Sequence, residues 1–276
     1  MGDKVEFLGH SLIQHGKDND RIYLMKYDNR DETTIIDSLK DLADKYGYAK
    51  IFAKVPLNKE SIFLSAGYKR EAKIPNYKSG EEDYVFLGRY PNHARELIKD
   101  SALLDDVLET ARSKAKVDPP ALEDGYVIKK LTREDAPEMA ELYKIVFKTY
   151  PFPIHDAGYL IKTMEENIHY YGIFKGKKLV ALSSSETDPE YKNCEMTDFA
   201  TLPNYRGKKF ALILLFEMEK SMKALGFKTL YTIARAKSHG MNATFAKAGY
   251  AFGGMLVNNT NISGDIESMN VWYKII

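Results

Sequence analysis

The segment ALILLFEMEKSMKAL (residues 211–225) constrains the fold more than any other. Its apolar residues run at helical spacing, and Gly226 follows as a C′ stop. So apolar a helix has to be buried. Directly before it stands TLPNYRGKK (residues 201–209), a Pro/Asn turn followed by Arg-Gly-Lys-Lys. The first amides of a helix are unpaired and carry partial positive charge, so a short basic loop that empties into a buried helix suits an anion. Gly207 lets the backbone approach closely, and Arg206, Lys208 and Lys209 add charge. A basic surface turn is the alternative.

Strand and helix signals alternate around this segment. YVIKKLT (126–132) reads as a strand, with Thr132 as N-cap and Asp135 completing a capping box for helix 133–148. The prolines of YPFPIHD (150–156) end that helix, and AGYLIKTMEE (157–166) forms a second. HYYGIFK and KLVALSSSE make a hairpin about Gly176-Lys177. EMTDFATL (195–202) is a strand before the basic loop. Strand FKTLYTIAR (227–235), helix SHGMNATFAKA (238–248) and strands YAFGGMLV and IESMNVWYKII complete the chain. The expected fold is α/β, a mixed sheet covered on both faces. A linker at SKAKVDPPALEDG (113–125) divides the chain into an N-terminal unit, residues 1–118, a connector, 119–125, and a unit of residues 126–276. Residues 91–114 before it read as one helix with Leu97, Leu104 and Leu108 in period.

The N-terminal unit echoes the other. Each has a helix ending in Gly-aromatic (Gly47-Tyr48, Gly226-Phe227), a strand, and Phe-x-x-Ala-Gly-Tyr at 63–68 and 245–250. The N-terminal unit is therefore expected to be a partial copy of the C-terminal fold. Its residues 28–34, DNRDETT, are acidic where the other unit has RGKK, so the anion site is expected only once.

The chain has 276 residues, 44% hydrophobic and 29% charged, which argues against disorder. A net charge of +1 gives no global field for nucleic acid. No apolar run approaches the roughly 20 residues of a membrane span. The single cysteine, Cys194, suits a reducing compartment, so a cytoplasmic protein with no nucleic-acid or membrane partner is expected. His155, His169 and His239 are scattered without ligand spacing, and no metal is expected.

Residues 203–211, PNYRGKKFA, behind a strand and before an apolar helix, resemble the acetyl-coenzyme A loop of the GNAT superfamily of N-acetyltransferases. Lys209 stands where that family usually has a second glycine. YPFPI, SSSE, EMTDFATLPNYRGK and MNATFAKAGY, behind an N-terminal extension of this length, are most similar to the β-lysine N-acetyltransferases. The resemblance implies a GNAT fold behind an N-terminal partial GNAT-like domain, with acetyl-CoA as co-substrate. It implies transfer of acetyl to the side-chain amine of β-lysine, giving the osmolyte Nε-acetyl-β-lysine, by direct attack of the amine on the thioester. It places the diphosphate on Arg206, Gly207, Lys208, Lys209, Phe210 and Ala211. The pantetheine arm would run along Phe199, Ala200, Thr201 and Leu202, with Asn242 nearby.

An ammonium of pKa about 10 must lose a proton before attack, so a carboxylate is needed beside the thioester. Asp198, just before the thioester segment, and Glu186 are the catalytic candidates. Strict strand alternation sets Glu195 on the face opposite Asp198, and Glu195 is expected to contact substrate. Tyr150 and Phe152 are expected to wall the substrate's aliphatic stem. Phe245 stands where many members of the family carry a tyrosine that protonates the leaving thiolate, and Tyr231 is the substitute weighed for that role. The residue that would anchor a substrate carboxylate is not identified. A polyamine or protein amine as substrate, or a CoA-binding regulator without turnover, are the competing readings, and a homodimer is compatible with all of them.

Overall fold

The computed structural model describes residues 3–262 and 264–276. Its first half runs β1 (Lys4–Leu8), β2 (Ser11–Gly16), β3 (Arg21–Lys26), α1 (Ile35–Tyr46), β4 (Lys50–Pro56), α2 (Glu60–Ser65), β5 (Lys69–Lys78) and β6 (Glu82–Arg89), followed by α3 (Ser101–Arg112). The second half runs β7 (Tyr126–Lys130), α4 (Ala136–Val146), α5 (Ala157–Glu166), β8 (Ile168–Lys175), β9 (Lys178–Asp188), β10 (Asn193–Thr201), α6 (Phe210–Ala224), β11 (Thr229–Arg235), α7 (His239–Lys247), β12 (Ala251–Ile262) and β13 (Asp265–Ile275). All the strands join one mixed sheet of order β1-β2-β3-β4-β6-β5-β12-β13-β11-β10-β9-β8-β7.

Read inward from its two ends, that order repeats. The run β2-β3-β4-β6-β5 matches β9-β10-β11-β13-β12, and each contains one parallel pair, β3 with β4 and β10 with β11. The Phe-x-x-Ala-Gly-Tyr segments occupy equivalent corners. Tyr68 N–H donates to Phe63 O at 3.1 Å and Tyr250 N–H to Phe245 O at 3.0 Å. In both, the two rings meet edge to face, at 5.2 and 5.1 Å.

The halves meet at β5 and β12 through the single ladder pair Ala72 with Gly254. A Cβ on Gly254 would run into the Glu71 carbonyl, and its φ of +143° suits glycine alone. A shared apolar cluster closes the joint, with Phe52, Ile74, Tyr77 and Phe86 from the first half against Tyr231, Leu256, Met269 and Val271 from the second.

In the second half α6 covers one face of the sheet and α4 with α5 the other. Helix α6 has no polar side toward the sheet: Phe210, Leu212, Ile213, Leu214, Leu215, Met218 and Met222 are all buried. Helix α3 packs beside α7 in this half, with Ala111 inside the α6 cluster. The single helix expected over residues 91–114 is broken into a turn, His93–Glu96, and α3. Asn258 Nδ2 donates to the carbonyls of Arg95 and Leu97 at 2.7 and 2.9 Å, taking acceptors that a continuing helix would use, and Leu97 stays exposed. Residues 114–123 are irregular but fastened, by Val117 N–H on Lys247 O at 2.9 Å.

Candidate active site

Strands β10 and β11 pair only from Asn193 to Glu195, against Thr229 to Tyr231. Beyond Glu195 they part, while β10 runs on to Thr201 along β9. The parting leaves the β11-facing edge of residues 197–201 without a strand partner.

A bulge falls at the same place. Thr197 pairs with Ser184 and Ala200 with Leu182, so Asp198 and Phe199 together oppose one residue of β9. Asp198 takes a left-handed φ of 55°. The extra residue reverses the alternation: Cys194 and Met196 pack under α6, whereas Ala200 and Leu202 pack in the α4 cluster. The expectation that Glu195 and Asp198 face opposite ways is therefore corrected. The bulge turns Asp198 to the face that Glu195 already occupies, and both line one cavity.

That cavity has a volume of about 390 Å³. Glu186, directly opposite Glu195 across the β9–β10 ladder, completes a group of three carboxyls in it. Asp198 is held on both oxygens, by the Tyr150 hydroxyl and by Ser184 Oγ at 2.6 Å. Ser183 and Ser185 face the other way, toward the sulfurs of Met218 and Met196. Burial raises the Asp198 pKa against these hydrogen bonds. Burial, then the charges of Glu186 and Asp198, push Glu195 up to about 8, with Lys54 opposing. Glu186 is raised in the same direction, by desolvation and then by Asp198, with Lys54 opposing. Tyr150 and Phe152 both line the cavity, Phe152 at its exposed edge.

The opposite wall comes from the first half of the chain: Arg21 and Tyr23 on β3, Phe52 and Lys54 on β4. Lys54 Nζ donates to the Tyr77 hydroxyl at 3.0 Å, and its pKa is raised: burial works against its charge but is outweighed by Tyr23, Tyr77 and Glu195. None of these residues was singled out in the sequence. Their one signal is basic residues in otherwise apolar strands, RIYLMK and KIFAKVP.

On the other side of the parting lies the basic loop. The amides of residues 207–212 have no protein acceptor among the described residues; the first amide to close the helix is Ile213, on Lys209 O at 3.0 Å. Gly207, at φ +83°, has open space where a Cβ would stand. Lys209 also sits in the left-handed region, at φ 62°, which explains why glycine would be at home there. The free amides and the glycine gap fit a diphosphate. Lys208 is turned aside: its Nζ meets Glu123 at 2.6 Å and lies over the Tyr126 ring. Arg206 and Ala211 are accessible at the loop, and Phe210 is its buried foot, against Tyr126 at 5.0 Å. In the first half, the equivalent loop is acidic and is tied to the β1–β2 turn, with Asp31 accepting from His10 N–H at 2.8 Å and Ser11 Oγ at 2.7 Å.

Phe199, Ala200, Thr201 and Leu202 lie along the parted edge, with Phe199 edge-on to Phe245 at 5.6 Å. Asn242 departs from expectation. Its Nδ2 donates to Arg235 O and Ser238 O, and its Oδ1 accepts from Asn270 and Trp272. That fills its hydrogen-bonding capacity, so it has nothing left for a pantetheine arm and instead ties α7 to β13. Tyr231 sits in register with Glu195, its hydroxyl 3.4 Å from that of Tyr77, on the acid side of the cavity. Among the described residues no group of His, Cys, Asp and Glu could hold a metal ion, and no helix is long and apolar enough to cross a membrane.

Residues 138–250 match the family model described as Acetyltransferase (GNAT) family. The chain is 40% identical over 273 residues, 99% of both chains, to the Beta-lysine N(6)-acetyltransferase of Methanococcus maripaludis. It is 32% identical to the enzyme of the same name from Methanosarcina mazei, over 88% of this chain and 97% of that one. It is 30% identical to N-acetyltransferase YodP of Bacillus subtilis, over 96% of this chain and 95% of that one.

Proposed function

The chain belongs to the GNAT acetyltransferase family, and from that membership we propose that it moves acetyl from acetyl-CoA to the terminal amine of β-lysine, making Nε-acetyl-β-lysine. The observation that carries this reading is the run of free amides at residues 207–212 beside the parting of β10 and β11, which opens onto a cavity where Glu186, Glu195 and Asp198 cluster. An anionic coenzyme and a cationic acceptor each find a complementary end.

In this reading the amides of the α6 start and Arg206 hold the diphosphate, and the pantetheine arm lies along residues 199–202. Free backbone N–H groups on the parted edge of β10 face the charge that builds on the thioester oxygen. The Glu186–Glu195 pair takes the proton that the attacking ammonium must lose; Glu195, raised to about 8, is suited to accept it near neutral pH. Asp198, with both oxygens committed, fixes Tyr150 against the pocket and adds negative charge for the substrate ammonium. As the new C–N bond forms, the C–S bond breaks and coenzyme A leaves as the thiolate. Phe245 has no proton to give it, so protonation falls to solvent. The N-terminal unit, residues 1–118, supplies an acceptor wall and binds no second coenzyme, and connector 119–125 passes the anion loop through Glu123. An osmolyte made from acetyl-CoA places the reaction in the cytoplasm.

The test is thiol release from acetyl-CoA with β-lysine, α-lysine, spermidine and a peptide as acceptors. The reading expects the highest kcat/KM with β-lysine. Release with spermidine or peptide alone would replace the substrate assignment, and binding of acetyl-CoA without release to any acceptor would refute the proposed transfer.

A further inference from the structure

Arg21 is 5% exposed, and no carboxylate pairs with it among the described residues. Its Nη1 is held by Asn259 O and by Thr260 Oγ1 at 3.1 Å, and its Nε is buried with no partner. The guanidinium lies 5.5 and 5.6 Å from the Tyr23 and Phe52 rings, which fix its plane. Burial pulls its pKa down to about 10, so it stays charged at neutral pH. Asp3 and Glu71 favour its charge from a distance but neither bonds it, and a buried cation without a bonded counter-charge is costly. A second unmet group stands beside it: Asn259 Oδ1 is buried and also lacks a partner. Both residues line the cavity that holds the carboxyls.

Lys54 and Arg235 are the other cations of the cavity, but both are engaged: Arg235 forks onto Glu267, through Nε at 2.9 Å and Nη2 at 2.6 Å. Lys54 donates to Tyr77, lies 6.0 Å from the Tyr23 ring and offsets Glu195. The cavity is therefore polarised. The acids of β9 and β10 lie at one end, the aromatic pair Tyr23–Phe52 in the middle, and a free cation with an orphan acceptor at the other.

We propose that Arg21 and Asn259 read the amino-acid head of the acceptor, the guanidinium taking its carboxylate and the Asn259 carbonyl the ammonium next to it. The inference rests on the β-lysine reading above and adds how the acceptor is recognised. The unbonded edge of Arg21, Nε with the second terminal nitrogen, has the fork that a carboxylate matches. Binding the head at this end sends the distal amine to the carboxyls. Polyamines, which lack a carboxylate, leave Arg21 unpaired and are disfavoured.

The test compares β-lysine with 1,4-diaminopentane, the same diamine without its carboxylate, in wild type, Arg21→Gln and Arg21→Lys. Wild type should favour β-lysine in kcat/KM by about tenfold to a hundredfold, the worth of a charge-assisted hydrogen bond. R21Q should bring the two substrates within about threefold, by raising KM for β-lysine rather than by lowering kcat. R21K, which keeps the charge but not the fork, should fall between. Melting temperature and acetyl-CoA binding certify that each variant is folded. An R21Q enzyme that keeps the wild-type ratio overturns the inference. Calorimetric binding of β-lysine separates the two proposals: binding without transfer, abolished in R21Q, would refute the proposed reaction yet uphold Arg21, whereas no binding to wild type would overturn both.

Discussion

Glu195 and Glu186 stand face to face across two antiparallel strands, an arrangement that ordinarily destabilises a sheet. Here it keeps a carboxyl protonatable near neutral pH. Glu195→Gln should lower kcat by about a hundredfold to ten-thousandfold, with acetyl-CoA affinity close to wild type, and should remove the acid limb near about 8 from the pH profile. A stability effect follows from the same residue. Its folded pKa lies above the ordinary 4.5, so between those values the folded chain keeps a proton that the unfolded chain has released. Wild-type stability therefore falls as pH rises from about 4.5 to about 8, and melts at about pH 5 and pH 9 should differ less in E195Q. An unchanged difference would contradict the assignment. At the anion loop, Lys209→Gly should relieve the left-handed backbone and raise stability by about 0.5–1 kcal/mol, read as a higher Tm; a lower Tm would show that the loop is unstrained. RGKK announced free amides; Asp198 was singled out for standing just before the loop strand's end, and Glu186 through the family resemblance, and the structure puts both on one cavity. The facing of Glu195 was not legible, because alternation assumes an unbroken ladder and the bulge that breaks it carries no sequence mark. Asn242 misled for a related reason: an asparagine at a helix start near a ligand looks the same whether it serves the ligand or its own backbone.

At the scale of elements, the positions that decide the site are irregularities in regular structure. The bulge at Asp198–Phe199 turns a third carboxyl into the cavity, and the parting of β10 from β11 frees an edge where the proposed reaction sets the coenzyme. Both halves also depend on the joint at Gly254. Gly254→Ala places a methyl against the Glu71 carbonyl at a φ that L-residues avoid, and should cost about 2–5 kcal/mol. Because the joint sets the acceptor wall but not the anion loop, the surviving folded protein should keep its acetyl-CoA affinity while KM for the amine rises. Equal losses of both would mean that the joint only stabilises. The strand and helix order of the second half was readable from periodicity and turns. The break before α3 was not, because Asn258, far away in sequence, takes the carbonyls that would have continued the helix.

Across the whole molecule, two copies of one strand order are fused edge to edge, and the sheet curls so that β3 and β4 face β9 and β10. Lys26 reaches Glu190 across the gap at 2.5 Å and lies over the Tyr191 ring. Only the second copy has basic residues before its helix; in the first the corresponding stretch is acidic, and its Asp31 is bonded to Ser11 of β2. The repeated Phe-x-x-Ala-Gly-Tyr corners were visible in the sequence, since each is a local unit. The cavity between the halves was not, since Arg21 and Lys54 lie more than a hundred residues from the carboxyls and approach them only through the joined sheet. In the proposed orientation the amino-acid head lies at the first half's wall and the far amine at the carboxyls. Transfer from acetyl-CoA labelled with carbon-13 in the acetyl group, followed by NMR of the product, reads that direction. The label should appear on the terminal nitrogen of β-lysine alone; label on the nitrogen next to the carboxylate end, or on both, would contradict it.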